Sequence, residues 1–296
     1  HNQMTFTTTE YPPRQFYVVP ETPPRKDTLH VVMSDMHSGS NYALFLPDMW
    51  RGTKENNHTP LSLQIAIRRQ FETYAEQLRQ ARQGKKIILV HNGDAIDGDH
   101  HNSNDVCTRN PLEQAKIHVD IMTEFQQRID WQQGDQIYYT RGTQTHVSEM
   151  ETFIGEQMNA VPCGEFYVWD LLKLETNGTL SMFAHHGPSR GDGDNEGNSM
   201  RNWLRGIKQE ATKDKKRVAD VIWTSHVHYP TYSSYVWREK MEFRTMHGII
   251  TPAWQLKTSF GWQVAALKQE KIGGVYQEIK ADGTICIPKF SIMETE

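Results

Sequence analysis

Cysteine is scarce in this chain. Cys107, Cys163 and Cys286 are its three cysteines, spread over 296 positions with no C-x-x-C spacing. An odd, sparse set excludes a disulfide framework and a thiolate-lined zinc site, and it fits a reducing compartment. Long apolar runs are also missing. The longest, such as Ile87-Ile88-Leu89-Val90, fall far short of the ~20 residues that a membrane-crossing helix needs. No signal-peptide pattern opens the chain, and His1-Asn2-Gln3 ahead of Met4 reads as a vector scar. Nor is there a basic excess: 32 Lys and Arg face 36 Asp and Glu, for a formal charge of −4. Proteins that coat nucleic acid through their overall charge carry the opposite balance, so a nucleic-acid partner here would need a local attraction. The expectation is a cytoplasmic protein with no membrane partner.

What is present fits a folded enzyme. Hydrophobic residues make up 37% and charged residues 23%, enough for a sizeable core under a solvated surface. Residues 1–27, with two Pro-Pro pairs and many Thr, read as an extended lead-in, and 28–296 as a single α/β domain with a β-rich C-terminal part. Leu29 to Met33 predicts a strand that stops at the polar Ser34-Asp35-Met36-His37-Ser38-Gly39. Thr59-Pro60 predicts a helix start with Thr59 as N-cap; Ile67, Phe71, Tyr74, Leu78 and Ala81 recur at helical spacing, and Gly84 ends the run. Ile87 to Val90 predicts a strand buried on both faces that ends in His91-Asn92-Gly93-Asp94.

The alternation then repeats. Asn110-Pro111 opens a second helix that Gly134 is expected to stop, and Ile137-Tyr138-Tyr139 predicts a strand ending at Arg141-Gly142-Thr143. After a short helical stretch around Phe153, Leu171 to Phe183 reads as a hairpin turning at Asn177-Gly178 and ending at His185-His186-Gly187. A helix over 199–216 and a strand over 218–223 lead to Ser225-His226-Val227-His228. Ala281-Asp282-Gly283-Thr284 reads as a hairpin turn.

Five predicted strands thus end in clusters of Asp, His, Asn or Thr. In α/β folds ligands lie beyond the carboxyl ends of the strands, so these clusters are expected to converge. Carboxylate and imidazole together suit Mn, Fe, Zn or Ni rather than the all-oxygen sites of Ca or Mg. Residues two apart, as in Asp35/His37 and His226/His228, point to one side at a strand end. His30, His58, His118 and His247 read instead as ordinary hydrogen-bonded histidines.

In order and spacing, Asp35-Met36-His37, Gly93-Asp94-Ala95-Ile96-Asp97, His185-His186-Gly187 and Ser225-His226-Val227-His228 resemble the DxH, GDxxD, H and GHxH blocks of the calcineurin-like metallophosphoesterases. The resemblance spans about Leu29 to Tyr229. It implies a four-layer αββα sandwich of two mixed β-sheets and two divalent metal ions, Mn first among Mn, Fe, Zn and Ni. It further implies hydrolysis of a phosphate ester by a hydroxide held between the metals. Carried over by position, Asp35, His37 and His228 hold the first metal, Asp94 bridges, His185 and His226 hold the second, and Asp97 supports the loop. Of the adjacent pair the resemblance favours His185, since family members with HHP or HYP at this point use the first residue; an alternating strand would let only one of the two face the metals.

One block departs from the pattern. The family has GNH followed by an acid, whereas this chain has Arg141-Gly142-Thr143-Gln144-Thr145-His146. Either Thr143 is a weak ligand, or His146 folds back as a ligand or as the acid that protonates the leaving group. Arg141 and Thr143 are the candidate phosphate contacts. The GTxxH form, with Asp99-His100-His101, looks like phosphoesterases encoded by phages and prophages, which would act in the host cytoplasm. That similarity leans the expected substrate towards a phosphodiester in nucleic acid or a nucleotide. A phosphomonoesterase and a non-catalytic scaffold of the same fold are the alternatives.

Overall fold

The computed structural model describes Val19 and residues 25–46, 58–98, 105–144, 149–189, 197–258 and 270–293. Its first strands follow from apolar, β-branched runs too hydrophobic to leave either face wet. These are β1 (Thr28–Met33), β2 (Lys86–Asn92) and β3 (Gln136–Thr140), which pair in parallel. Two crossover helices join them: α1 (Ser62–Arg82) and α2 (Pro111–Arg128). Near the C-terminus β9 (Gly273–Ile279) pairs antiparallel with β1, and β10 (Lys289–Ile292) with β9, giving the sheet order β10-β9-β1-β2-β3.

The second sheet has the order β4-β5-β6-β8-β7. It comprises β4 (Leu172–Thr176), β5 (Thr179–Phe183), β6 (Val221–Thr224), β7 (Thr231–Glu239) and β8 (Glu242–Ile250). Strands β5, β6 and β8 run parallel; β4 and β7 are antiparallel to their neighbours. Asn177 (φ 53°) and Gly178 (φ 83°) make the expected tight turn between β4 and β5, with both residues left-handed as a primed hairpin turn requires. Two more helices complete the described elements, α3 (Met150–Gln157) and α4 (Asn198–Lys213).

Alternation along the strands sorts side chains into three apolar layers. Leu29, Val31, Met33, Ile87, Leu89 and Tyr139 pack beneath α1, α2 and α3, against Phe71, Phe125 and Ile154. Val32, Ile88, Val90 and Tyr138 face the other way and meet Leu172, Phe183, Trp223 and Ile249 of the second sheet. The far face of that sheet, with Leu180, Ile222 and Met246, takes Met200 and Leu204 of α4. The order helix, sheet, sheet, helix is the four-layer αββα sandwich expected above. The seam between the sheets is a true core: Phe183 and Trp223 stack at 5.9 Å and are fully buried. Each such side chain stabilises the fold by about 1.5–3 kcal/mol through removal from water.

Some boundaries differ from the sequence reading. Helix α1 starts at Ser62, not at Thr59-Pro60. The Gln64 side chain sets this start: its Oε1 accepts from the Leu61 N–H (3.2 Å), while its Nε2 donates to Ser40 O and Ala43 O. Helix α2 does begin at the Asn110 cap, whose Oδ1 accepts from the Leu112 N–H, but it ends at Arg128 because Asp130 (φ 57°) takes the left-handed terminating position. Gly134 instead serves the turn into β3. Likewise α4 stops at Lys213, where Lys215 (φ 53°) reverses the chain, and β6 begins at Val221. The turn at 281–284 forms, with Gly283 N–H bonded to Lys280 O and Lys280 N–H to Thr284 O. The three cysteines are free, and no helix of the described residues is long and apolar enough to cross a membrane.

Candidate metal centre

The loops that leave β1 and β2 run side by side. Asp35 N–H bonds to Gly93 O, His37 N–H to Asp94 O, and Ser38 N–H to Ala95 O, each at 3.0 Å; Asp97 N–H returns to Ser38 O at 3.2 Å. This zipper puts Asp35 and His37 beside Asp94 and Asp97 before any side chain has acted. From the second sheet, Ser225 N–H bonds to His185 O (3.0 Å), and His226 N–H crosses the seam to Asp35 Oδ2 (3.2 Å). Lys271 N–H fixes His228 O, and Trp254 N–H fixes Asp35 O.

Backbone strain concentrates here. Eleven described non-glycine residues have positive φ, and five of them are Asp35 (50°), His37 (42°), Asp94 (53°), His226 (72°) and His228 (53°). Asp, Asn and His enter this region more readily than other side chains, yet each such residue costs on the order of 1 kcal/mol or more. Five of the six sequence-predicted ligands therefore sit in a conformation that the surrounding bonds must impose. Two glycines make the close approach possible. A Cβ on Gly93 would overlap the His185 ring, and one on Gly142 would overlap the Asp94 backbone nitrogen and Oδ1.

A layer of polar side chains aims the rings. His37 Nδ1 faces Asp97 Oδ1 at 3.2 Å, and that oxygen also accepts from Gln255 Nε2 at 3.0 Å, so His37 presents Nε2 towards Asp94 Oδ2 (3.9 Å). His185 Nδ1 lies 2.9 Å from Asn92 O and 3.1 Å from Ser225 Oγ, which leaves Nε2 facing Asp94 Oδ2 at 3.1 Å. A histidine tied at one nitrogen by a carboxylate or carbonyl and open at the other is the usual form of a metal ligand. Asn92 is itself fixed: Nδ2 donates to Ser225 Oγ and Ala184 O, and Oδ1 accepts from Thr140 Oγ1.

On the opposite flank Glu151, fully buried on α3, accepts Gly142 N–H (2.9 Å) at Oε2 and Ala95 N–H (3.4 Å) at Oε1. It thereby ties the loop after β3 to the loop after β2. Thr143 completes the tie by donating its N–H to Asp94 Oδ1 (2.6 Å) and its hydroxyl to Asp94 Oδ2 (3.2 Å).

The result is three overlapping sets of side chains, each with one ligand atom per residue within 4.8 Å of the others: Asp35, His37 and His228; Asp35, Asp94, His185 and His226; and His185, His186 and His226. Asp35 belongs to the first two sets. Asp94 Oδ2 lies near a ring nitrogen from each of those two. The charge of such a cluster suits cations. Asp35 and Asp94 are buried carboxylates, and Asp35 Oδ1 lies 3.3 Å from His228 Nε2. Burial would raise the Asp35 carboxyl, but the His228 imidazole, with His185 behind it, holds it well below the usual carboxylate range.

Burial likewise opposes charge on His37 and His185. The bond to Asp97 and the charges of Asp94 and Asp35 nonetheless raise His37, and Asp94 and Asp35 lift His185 to about 9. His226 is pushed down to about 4 by burial and by its neighbour His185. Protons on His37 and His185 balance the carboxylates in the bare chain, and divalent cations would supply the same charge and displace those protons. The donor set and its electrostatics therefore fit divalent ions.

All six predicted ligands come together, with Asp97 behind His37 and Thr143 against Asp94. Arg141 pairs through Nε with Asp170 Oδ1 at 2.9 Å. His146, like Asp99, His100 and His101, lies outside the described residues. The histidines read as ordinary are hydrogen-bonded: His30 to Thr176, His58 to Gln64, His118 to Ser38, Ala95 O and Tyr139, and His247 to Tyr232. The sequence reading missed Glu151, Asn92, Ser225, Thr140 and Gln255. Asn92 and Ser225 carried a weak signal, as polar residues inside the strand-end blocks. Glu151 and Gln255 carried none.

No protein-family profile matches the chain, and no curated protein matches it. Solved structures with a similar course include a conserved uncharacterised protein of Streptococcus pneumoniae TIGR4, described as a predicted phosphoesterase (TM-score 0.33, 11% identity, 91% of this chain and 99% of that one). A second is the sulfate thiohydrolase SoxB of Thermus thermophilus in complex with glycerol (0.36, 12%, 93% and 58%). A third is a dimetal phosphatase from Danio rerio (0.39, 7%, 90% and 99%).

Proposed function

We propose that the chain is a metal-dependent hydrolase of phosphate esters. Asp35, His37 and His228 would hold one divalent ion and His185 and His226 a second, with Asp94 between them. The observation that carries this reading is the pair of buried carboxylates ringed by imidazoles from both sheets, on a backbone held left-handed at five of the six positions. Bound there, two divalent ions supply Lewis-acid stabilisation of phosphoryl oxygens and a source of hydroxide near neutral pH. The chain's own part is placement. Asp97 and Gln255 orient His37, Asn92 and Ser225 orient His185, and Glu151 and Thr143 hold Asp94 at the junction. His146, shortly after Thr143 in the chain, is assigned to give a proton to the departing oxygen. Arg141 and Thr143 are assigned to the phosphate.

The substrate is proposed to be a phosphodiester of nucleic acid or a nucleotide. The test compares bis-p-nitrophenyl phosphate with p-nitrophenyl phosphate in the presence of Mn²⁺, for the wild type and Asp94→Asn. Faster turnover of the diester, lost together with bound metal in the variant, supports the proposal. A preference for the monoester makes the chain a phosphomonoesterase. Two bound metals without turnover of either ester make it a scaffold. Full activity of Asp94→Asn with empty sites would sink the two-metal reading.

A further inference from the structure

His186 stands next to a proposed ligand, and its side chain has no place in that scheme. Strand alternation would turn it away from His185. However, β5 ends at Phe183, and beyond it the backbone carries both rings to the same place. The His185 and His186 rings meet edge to face with centroids 4.7 Å apart, and the His186 and His226 rings lie 4.6 Å apart. One ring nitrogen from each of the three falls within 4.8 Å of the others. His186 is exposed, so it reaches the cluster from the solvent side, whereas Asp35 and Asp94 reach it from the buried side.

The neighbouring chemistry leaves a role open for it. Position 143 offers a hydroxyl in place of an amide oxygen, and that hydroxyl is engaged with Asp94 Oδ2 and His185 Nε2. His185 Nδ1 is engaged with Asn92 and Ser225, so one nitrogen of that ring remains for a metal.

We propose that His186 is a third imidazole ligand of the second metal, resting on the two-metal reading above, and that the two sites differ in kind. The first is built from two imidazoles and carboxylates, the second from three imidazoles and carboxylates. Imidazole-rich sites favour Zn, Ni or Co over Mn, so the second site should be the more selective for those ions.

The test titrates metal-free protein with Co²⁺, reading heat and visible absorption, in wild type, His186→Ala, His228→Ala and the double variant. His186→Ala should keep one equivalent at wild-type affinity and bind the other roughly 100-fold more weakly, with a changed absorption band. In the His228→Ala background, which isolates the second site, adding His186→Ala should weaken the remaining equivalent by a similar factor. Exposure of the His186 side chain predicts an unchanged far-UV circular dichroism spectrum. Equal stoichiometry, affinity and spectrum with and without His186 would overturn this inference alone. Wild-type protein that binds no Co²⁺ would overturn it together with the proposed function.

Discussion

The two sheets bring opposite chemistry to the candidate centre. From the first, the loops after β1 and β2 supply both buried carboxylates, Asp35 and Asp94, with His37 and the supporting Asp97. From the second, the segments after β5 and β6 supply imidazoles alone: His185, His186, His226 and His228. The bracing differs too. The first half is zipped by backbone hydrogen bonds and clamped by Glu151, whereas in the second half His185 and Ser225 both lean across the seam on Asn92. Neither half is a site by itself. Beyond His37, the carboxylates meet their imidazole neighbours only when the sheets pack, so the apolar seam positions the centre as much as any polar group does.

The comparison can be broken most severely at Gly142. A methyl group there overlaps Asp94, the residue between the two halves. Gly142→Ala should lower turnover of bis-p-nitrophenyl phosphate by a factor on the order of 10³, comparable with removal of a key stabilising group. Steady-state assays check this, and near-wild-type turnover would contradict the placement of the loop after β3. The seam comes next. Trp223→Ala should destabilise the fold by about 3–5 kcal/mol, measured by urea unfolding, and should weaken metal binding, because it loosens both halves at once.

A smaller pair of changes separates the halves. Asp97→Ala removes the carboxylate that orients His37 and should weaken one metal equivalent by about 10–100-fold, while Ser225→Ala leaves His185 Nδ1 with Asn92 O alone and should weaken the other by less. Chelator competition reads both, and loss of the same equivalent in the two variants would show that the halves are not independent.

The smallest effect concerns the far end of the seam. His30 is fully buried beside Thr176, and burial, with Lys86 adding to it, drives its pKa down to about 3. The unfolded chain binds a proton near pH 6.5 that the folded chain refuses. Stability is therefore full above pH 6.5 and is lost as pH falls from there towards 3, at about 2 kcal/mol between pH 7 and pH 5 for this group. His30→Gln should flatten that part of the pH profile in urea titrations. An unchanged slope would remove His30 as its source.

Much of the centre was legible because strand ends are marked in sequence. Apolar runs stop, and the polar residues that follow are forced to one edge of the sheet. Asn110 as a cap and Asn177-Gly178 as a turn were legible for a similar reason: their bonds are local. Glu151 was not legible. Its role consists of accepting two backbone N–H groups, one from the loop just before its helix and one from the distant loop after β2, and no side-chain pattern records where a backbone donor will lie. The start of α1 was misplaced on the same grounds, since Gln64 answers to Ser40 and Ala43. Alternation holds only while the strand lasts, and β5 ends at Phe183, so it does not separate the rings of His185 and His186.

The sequence by itself determined the identity and order of the candidate ligand residues, the helices between them and the alternation that makes each sheet two-faced, because these depend on neighbours within one or two turns of chain. The tertiary structure alone decided that carboxylates and imidazoles meet across a seam, that five of those residues take a left-handed backbone, and that His186 joins His185 and His226. Those outcomes come from bonds between strand ends far apart in the chain, within one sheet for His186 and His226 and across the seam for Asp35 and His226, which no local preference encodes.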